Sequence, residues 1–303
     1  MNYLKLILAT TLVLPFVVAR ADLNVFACEP EWAALAAEIG AENVTTYSAT
    51  TALQDPHYIQ ARPSLIAKVR RADIVICSGA QLEIGWLPLL LQKANNRKIL
   101  PGTEGYVEAS SLVKRIDTTT NVDRARGDIH PMGNPHVQTN PRNISVIATE
   151  LTARMMKLDV ANAPAYQTNY NSFARRWSEA IERWEQQALP LKNKRAITHH
   201  NSWVYLARWL GIEVVANLEE IPGVPPTAGH LSTLVNRFDT NSVDFIIRSP
   251  YQDVRASKWL AERTGITAIE LPLTVGGTTD ATNLFTFFDA IIERLLAASN
   301  DLE

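Results

Sequence analysis

The chain has 303 residues, 47% of them hydrophobic and 20% charged, a globular composition whose length suits two domains. A formal net charge of -2 gives no basic surface for nucleic acid and none for an anionic membrane. Past the N-terminal segment no stretch reaches about 18 uninterrupted apolar residues, so no later segment reads as a membrane-spanning helix.

Residues 1–21 read as a secretory signal: Lys5 is the short basic region, residues 6–18 are an apolar core, and Ala19, Arg20 and Ala21 form an A-x-A cleavage site. An exported, soluble chain beginning near Asp22 is expected, without direct membrane insertion. Cys28 and Cys77 do not lie where a lipid-attachment cysteine would follow the signal core. Each closes an apolar run, 23–28 and 72–77, that reads as a buried strand. If those strands are neighbours, the two cysteines bridge in an oxidising compartment; otherwise they remain buried thiols.

After the signal, strand-like and helical runs alternate. A helix starting at Pro30 places Trp32, Leu35, Ala36 and Ile39 on one face and stops at Gly40. A strand over 44–48, a helix over 63–71, the strand 72–77 and a helix over 83–94 follow, a βαβα order that implies a mostly parallel sheet. Residues 98–100 and 111–116 read as short strands and 117–135 as a polar loop. Pro141 then opens a helix capped by Asn140.

Residues 162–189 form the longest periodic stretch. Tyr166, Tyr170, Phe173, Trp177, Ile181, Trp184 and Ala188 recur at steps of three and four, with Asn162 as cap, Pro164 in the first turn and Pro190 as stop. This is either a spine between two lobes or a long surface helix. The alternation then repeats, with strands at 195–198, 212–218, 243–247 and 268–273 and helices at 202–210, 228–238, 254–264 and 283–298. The expected fold is α/β: two lobes, each a mostly parallel sheet flanked by helices, joined by one long rigid helix. The corresponding division is 1–21 signal, 22–161 first lobe, 162–190 linking helix and 191–303 second lobe.

Three histidines sit in comparable turns. His57 follows Asp55 and Pro56, His136 follows Asn134 and Pro135, and His200 follows the strand ending at Thr198. Ligands of open α/β sheets collect at the carboxyl ends of strands, and three imidazoles nearly complete a tetrahedral zinc shell. The segments Asp55-Pro56-His57 with Pro63 and Ser64 trailing, Asn134-Pro135-His136 with Pro141 trailing, and His200-Asn201-Ser202-Trp203 with Tyr205, Ala207 and Gly211 resemble the motifs of one family. That family is the zinc and manganese solute-binding receptors of bacterial ABC importers, of the helical-backbone type, and the resemblance spans the mature chain.

The resemblance implies a monomeric periplasmic receptor for Zn²⁺, carried as cargo to a membrane permease, with a periplasmic metallochaperone as a further partner. Residue by residue it implies His57, His136 and His200 as metal ligands. The fourth position departs from the manganese-type pattern, which has Asp where this chain has Thr274 and Val275; the nearest carboxylate is Asp280, either a fourth ligand reached by the Gly276-Gly277 loop or a cap of the last helix. Ile59 and Gln138 stand where aromatics are common, and a long His-rich loop is missing. His130 is expected to be exposed rather than an alternate ligand, His199 to lie behind His200, and His230 to pack at a helix start. The rival readings are a zinc hydrolase, with Glu29 or Glu219 as base but without an H-E-x-x-H motif, and a haem or siderophore receptor.

Overall fold

The computed structural model describes residues 22–119 and 127–300; the signal segment lies outside them. In the first lobe β1 (Leu23–Ala27), β2 (Val44–Ser48), β3 (Ile74–Cys77) and β4 (Tyr106–Glu108) form a parallel sheet of order β2-β1-β3-β4. β3 is buried along its whole length because a strand covered by helices on both faces must be apolar throughout. α1 (Pro30–Gly40) and α2 (Pro63–Arg71) each have proline in the first turn, where its missing N–H costs nothing, and α3 (Leu87–Ala94) follows β3.

In the second lobe β5 (Arg195–Thr198), β6 (Glu213–Asn217), β7 (Phe245–Arg248) and β8 (Thr267–Glu270) repeat the same parallel order, β6-β5-β7-β8. α6 (Val204–Leu210) ends at Gly211, whose φ of 71° suits a residue without Cβ. α7 (Ala228–Arg237), α8 (Val254–Thr264) and α9 (Leu284–Asn300) complete this lobe. The chain direction around each sheet reverses between β1 and β3 and between β5 and β7, and such switch points open crevices at the carboxyl ends of the strands.

Between the sheets run α4 (Pro141–Leu158), capped by the Asn140 side chain on Arg142 N–H, and α5 (Ala163–Gln187), the 25-residue rod foreseen from the periodicity. α5 touches both lobes. Arg176 pairs with Glu38 of α1, while the Trp184 indole donates to Asp289 of α9 at 2.6 Å. Trp177 packs edge-on against Phe285 at 4.9 Å, and one apolar cluster continues from Trp32 through Trp177 and Trp184 to Phe287 and Phe245.

β1 and β3 are adjacent in register, Ala27 opposite Ile76, and this brings Cys28 and Cys77 into a disulfide with Cα atoms 4.8 Å apart. Other expectations are corrected. Residues 97–99 form a 3-10 turn because Asn96 accepts from Lys98 N–H, and 109–112 form another, so the fourth strand falls between them at Tyr106–Glu108. α3 begins at Leu87 rather than residue 83, since Ala80 and Gln81 adopt left-handed backbone and hold the preceding turn outside the helix. Asn162 does not cap α5; its amide donates to Asp159 at 2.6 Å instead.

Candidate metal centre

Two of the three histidine turns are built alike. Asp55 Oδ1 accepts the His57 backbone N–H at 3.0 Å and Asn134 Oδ1 accepts that of His136 at 3.0 Å, each side chain closing a turn around the intervening proline. The Pro56 carbonyl is pinned by the Trp86 indole at 2.9 Å, and Asn134 donates across the cleft to the Asn201 carbonyl at 2.6 Å. His200 follows β5 at the switch point of the second sheet. Glu219, just past β6, accepts from His200 Nδ1 at 2.6 Å and is itself held by Gly223 N–H at 2.8 Å.

The three rings converge. Their centroids lie 5.6 to 6.0 Å apart with interplanar angles of 67° to 89°, and one ligand atom from each falls within 4.8 Å of the others. His136 is 1% exposed, with neither ring nitrogen bonded to protein. Burial, reinforced by the neighbouring imidazoles, holds its pKa well below the ordinary value, so it is a neutral base with a free lone pair.

His130 is not exposed but lies against His57, one member of this group. Its Nε2 lies 3.1 Å from His57 Nε2, and its Nδ1 lies 3.1 Å from the Ala80 carbonyl. A carbonyl only accepts, so His130 Nδ1 carries the hydrogen; Asp55 Oδ1, 2.7 Å from His57 Nδ1, fixes the same tautomer on that ring. The two Nε2 atoms therefore face each other as lone pairs, an arrangement that requires a proton or a metal ion between them. Burial first, then the charges of His57 and His200, push His130 down to about 3. At neutral pH His130 is therefore uncharged.

The approach to these nitrogens is acidic. A cavity of about 320 Å³ is lined by Asp55, His57, His200, Glu219 and Asp128, and by Asp253, whose charge is met by Arg255; the remaining carboxylates favour cations at its mouth. Burial alone would raise Asp55, but the hydrogen bonds and charge of His57 outweigh it and keep the carboxyl below its usual range. Tyr58 donates to Asp128 at 2.7 Å at the rim.

Residues 25–298 match the family described as zinc-uptake complex component A, periplasmic, or ZnuA. The chain belongs to the ZnuA family. As a member it is a metal-binding receptor of an ABC transporter rather than an enzyme. It is 23% identical over 251 residues to the metal ABC transporter substrate-binding lipoprotein ScbA of Streptococcus cristatus, covering 80% of this chain and 77% of that protein. To the manganese ABC transporter substrate-binding lipoprotein PsaA of Streptococcus pneumoniae it is 22% identical over 233 residues, or 75% and 72% of the two chains. A crystal structure of ZnuA shares the fold with a TM-score of 0.77 at 19% identity, covering 92% of this chain and 99% of that one. A cadmium-bound periplasmic metal binding protein from Candidatus Liberibacter asiaticus does so at 0.72 and 18%, covering 93% and 100%.

The three histidine turns thus bring His57, His136 and His200 together, but Asp280 stands apart. Both its oxygens accept from Arg294 of α9, at 3.0 and 3.1 Å, and the helix cap is Asn283, which accepts from Phe285 and Thr286 N–H. The Gly276-Gly277 loop does fold back, Gly276 N–H bonding the Ala281 carbonyl, yet it directs the carboxylate to a cation already present. His199 is buried beside Glu219, its Nε2 3.7 Å from Oε1, the carboxylate oxygen that His200 does not use. His230 packs at the start of α7 with Nε2 2.9 Å from the Asn217 carbonyl. Of the two suspected general bases, Glu219 orients His200 and Glu29 is bonded to Ser78, so neither is aimed at a water held by the three rings. His130, weighed from the sequence as an alternate ligand, reads there as exposed because its partner lies 73 residues away and its loop has no period.

Proposed function

We propose that this protein is a periplasmic zinc receptor that binds one Zn²⁺ through His57, His136 and His200, with His130 as fourth ligand, and delivers it to the permease of an ABC importer. The observation that carries this reading is the pair of facing Nε2 lone pairs at 3.1 Å, close to the separation of about 3.3 Å that Zn–N bonds of about 2.0–2.1 Å give in a tetrahedron. The donors that point inward are imidazole nitrogens, whereas Asp55 and Glu219 are spent on Nδ1 atoms. Manganese favours carboxylate and water oxygen, and nitrogen donors favour zinc. Manganese is the second reading because a relative of similar coverage is named as a manganese receptor.

Native mass spectrometry of protein taken from the periplasm, with the metal identified, tests the cargo; one zinc per chain is expected. His200→Ala should weaken zinc by several orders of magnitude and His130→Ala by a smaller but distinct factor, read by chelator competition. Manganese in the native protein, or an unchanged affinity in His130→Ala, would remove the corresponding half of the proposal.

A further inference from the structure

Residues 127–130 cross the mouth of the cleft between the lobes. Asp128 N–H bonds the Pro222 carbonyl of the second lobe at 2.9 Å, and the Tyr58 hydroxyl of the first lobe donates to Asp128 Oδ2 at 2.7 Å. His130 Nδ1 donates to the Ala80 carbonyl at 3.1 Å. Both points of contact with the second lobe need glycine: a Cβ on Gly127 would meet the Pro222 carbonyl oxygen at 2.1 Å, and one on Gly223 would meet Asp128 Oδ2 at 2.0 Å. The chain beyond this segment is fixed separately, by Thr119 N–H on the Pro131 carbonyl at 3.1 Å and Asn134 N–H on the Ile116 carbonyl at 2.8 Å. Residues 127–130 can therefore swing away while 131–134 stay in place.

The same segment divides the space in front of the imidazoles. Asp128 borders three cavities: one of about 320 Å³ that reaches His57 and His200, one of about 120 Å³ that reaches His130 and His200, and one of about 890 Å³ that reaches His57 and His130. His136 lines none of these three, so no one of them reaches all three converging rings. Tyr58 is 64% exposed, so water competes for the hydroxyl that holds Asp128. A bond that water can replace opens at little cost.

We propose that residues 127–130 are a strap that opens to let the metal enter and leave, with the Tyr58–Asp128 bond as its latch; this rests on the reading of the imidazoles as the cargo site. Swinging the strap out joins the three cavities at Asp128 and takes His130 away from His57. The moving piece thus carries the ligand that arrives last and leaves first. Opening breaks a few bonds at the cleft mouth, whereas parting the lobes would expose the apolar cluster along α5. The latch bond involves none of the imidazole nitrogens, so it steadies the closed strap alike in the free and the metal-bound protein. Its loss raises the open fraction of both, and entry and release quicken together while affinity stays the same. A residue that merely supports a ligand changes affinity instead.

Stopped-flow mixing of the mature protein with Zn²⁺, and of the loaded protein with excess EDTA, gives the entry and release rates. In Tyr58→Phe, which deletes only the hydroxyl, both should rise about three- to tenfold, the effect of one hydrogen bond, with Kd unchanged within about twofold. Asp128→Ala should raise the release rate likewise, and Asp128→Asn, which keeps an acceptor for Tyr58, should stay nearer the parent. The two losses should not add in the double variant Tyr58→Phe/Asp128→Ala, since each removes the same bond. Mn²⁺ as the added ion should give the same paired change, which tells a wrong cargo apart from a strap that does not open. Amide exchange of the metal-free protein needs no cargo: Asp128 N–H should exchange faster in Tyr58→Phe, with α5 protected as in the parent. Unchanged rates, faster release with entry unaltered, or Asp128 exchange indifferent to the Tyr58 hydroxyl would overturn the proposal.

Discussion

Asp55 and Glu219 each take one Nδ1 hydrogen, from His57 at 2.7 Å and His200 at 2.6 Å, and thereby present Nε2 inward in a fixed tautomer. Glu219→Ala leaves all four imidazoles in place and should weaken zinc by about 10 to 100-fold, well short of losing a ligand. Chelator competition beside His200→Ala decides it; equal losses would place Glu219 on the metal. Three histidine ligands would by themselves suggest three protons shed on binding. With His136 and His130 already neutral, fewer protons should leave near neutral pH than there are imidazoles, a count available from calorimetry in buffers of different ionisation enthalpy. The metal-free fold feels the same shifts with opposite signs. His130 and His136 are depressed, so stability is lost as pH falls from about 6.5 through their folded values, because only the unfolded chain takes up those protons. Glu31 and Glu83 are raised, so the stability they contribute is present below their ordinary range and lost as pH rises through about 7. In chelator, Tm should therefore peak on the mildly acid side of neutrality, and Glu31→Gln should flatten the alkaline limb. An unchanged limb in that variant would mean that Glu31 is not the titrating group. The Pro-His turns were legible in the sequence because Asx-type turns are local, whereas Asp280 was misread because its claim rested on proximity in sequence and Arg294 lies 14 residues away in another element.

The element most legible was α5, whose period of three and four survives as a buried line of Tyr166, Phe173, Trp177, Ile181 and Trp184. Tyr170 lies off that line, only partly buried and hydrogen-bonded to Thr149 at 2.7 Å. Trp177 is 1% exposed, donates to the Pro141 carbonyl at 2.9 Å and contacts Phe173, Trp184, Phe285 and Phe288. Trp177→Ala removes that contact set and leaves a cavity at the junction of α4, α5 and α9, a loss of about 3–5 kcal/mol. Denaturant unfolding should show it as a lower midpoint with little change in m; a loss under about 1 kcal/mol would mean the junction collapses around the gap. β4 was missed for the opposite reason. It is three residues long with only Val107 buried, so it offers no periodicity to read, while Val113 and Ile116 nearby imitate a strand and merely pack on the core.

At the scale of the whole molecule, alternation of strands and helices revealed two lobes, but nothing local revealed how tightly they are joined. Asn134 reaches the Asn201 carbonyl, Tyr205 Oη donates to the Asn134 carbonyl at 3.0 Å, and Asp128 N–H bonds the Pro222 carbonyl at 2.9 Å. At Gly223, φ is 78° and a Cβ would meet Asp128 Oδ2 at 2.0 Å, so the lobes touch where only glycine fits. Behind the imidazoles, Gln138 and Glu31 hold the 273–274 segment, and the apolar cluster runs unbroken across α5. A wide hinge would have to break these bonds and expose that cluster to water, each step unfavourable by the usual costs of unpaired buried groups and lost apolar burial. Metal binding is therefore expected to shift the histidine-bearing turns by small amounts while the lobes stay docked. Small-angle scattering of the metal-free and zinc-loaded protein should give radii of gyration equal within experimental error, and hydrogen exchange should slow mainly in residues 53–60, 127–137 and 199–224. A clear contraction on adding zinc would show that the lobes part in the metal-free protein and that α5 bends to allow it.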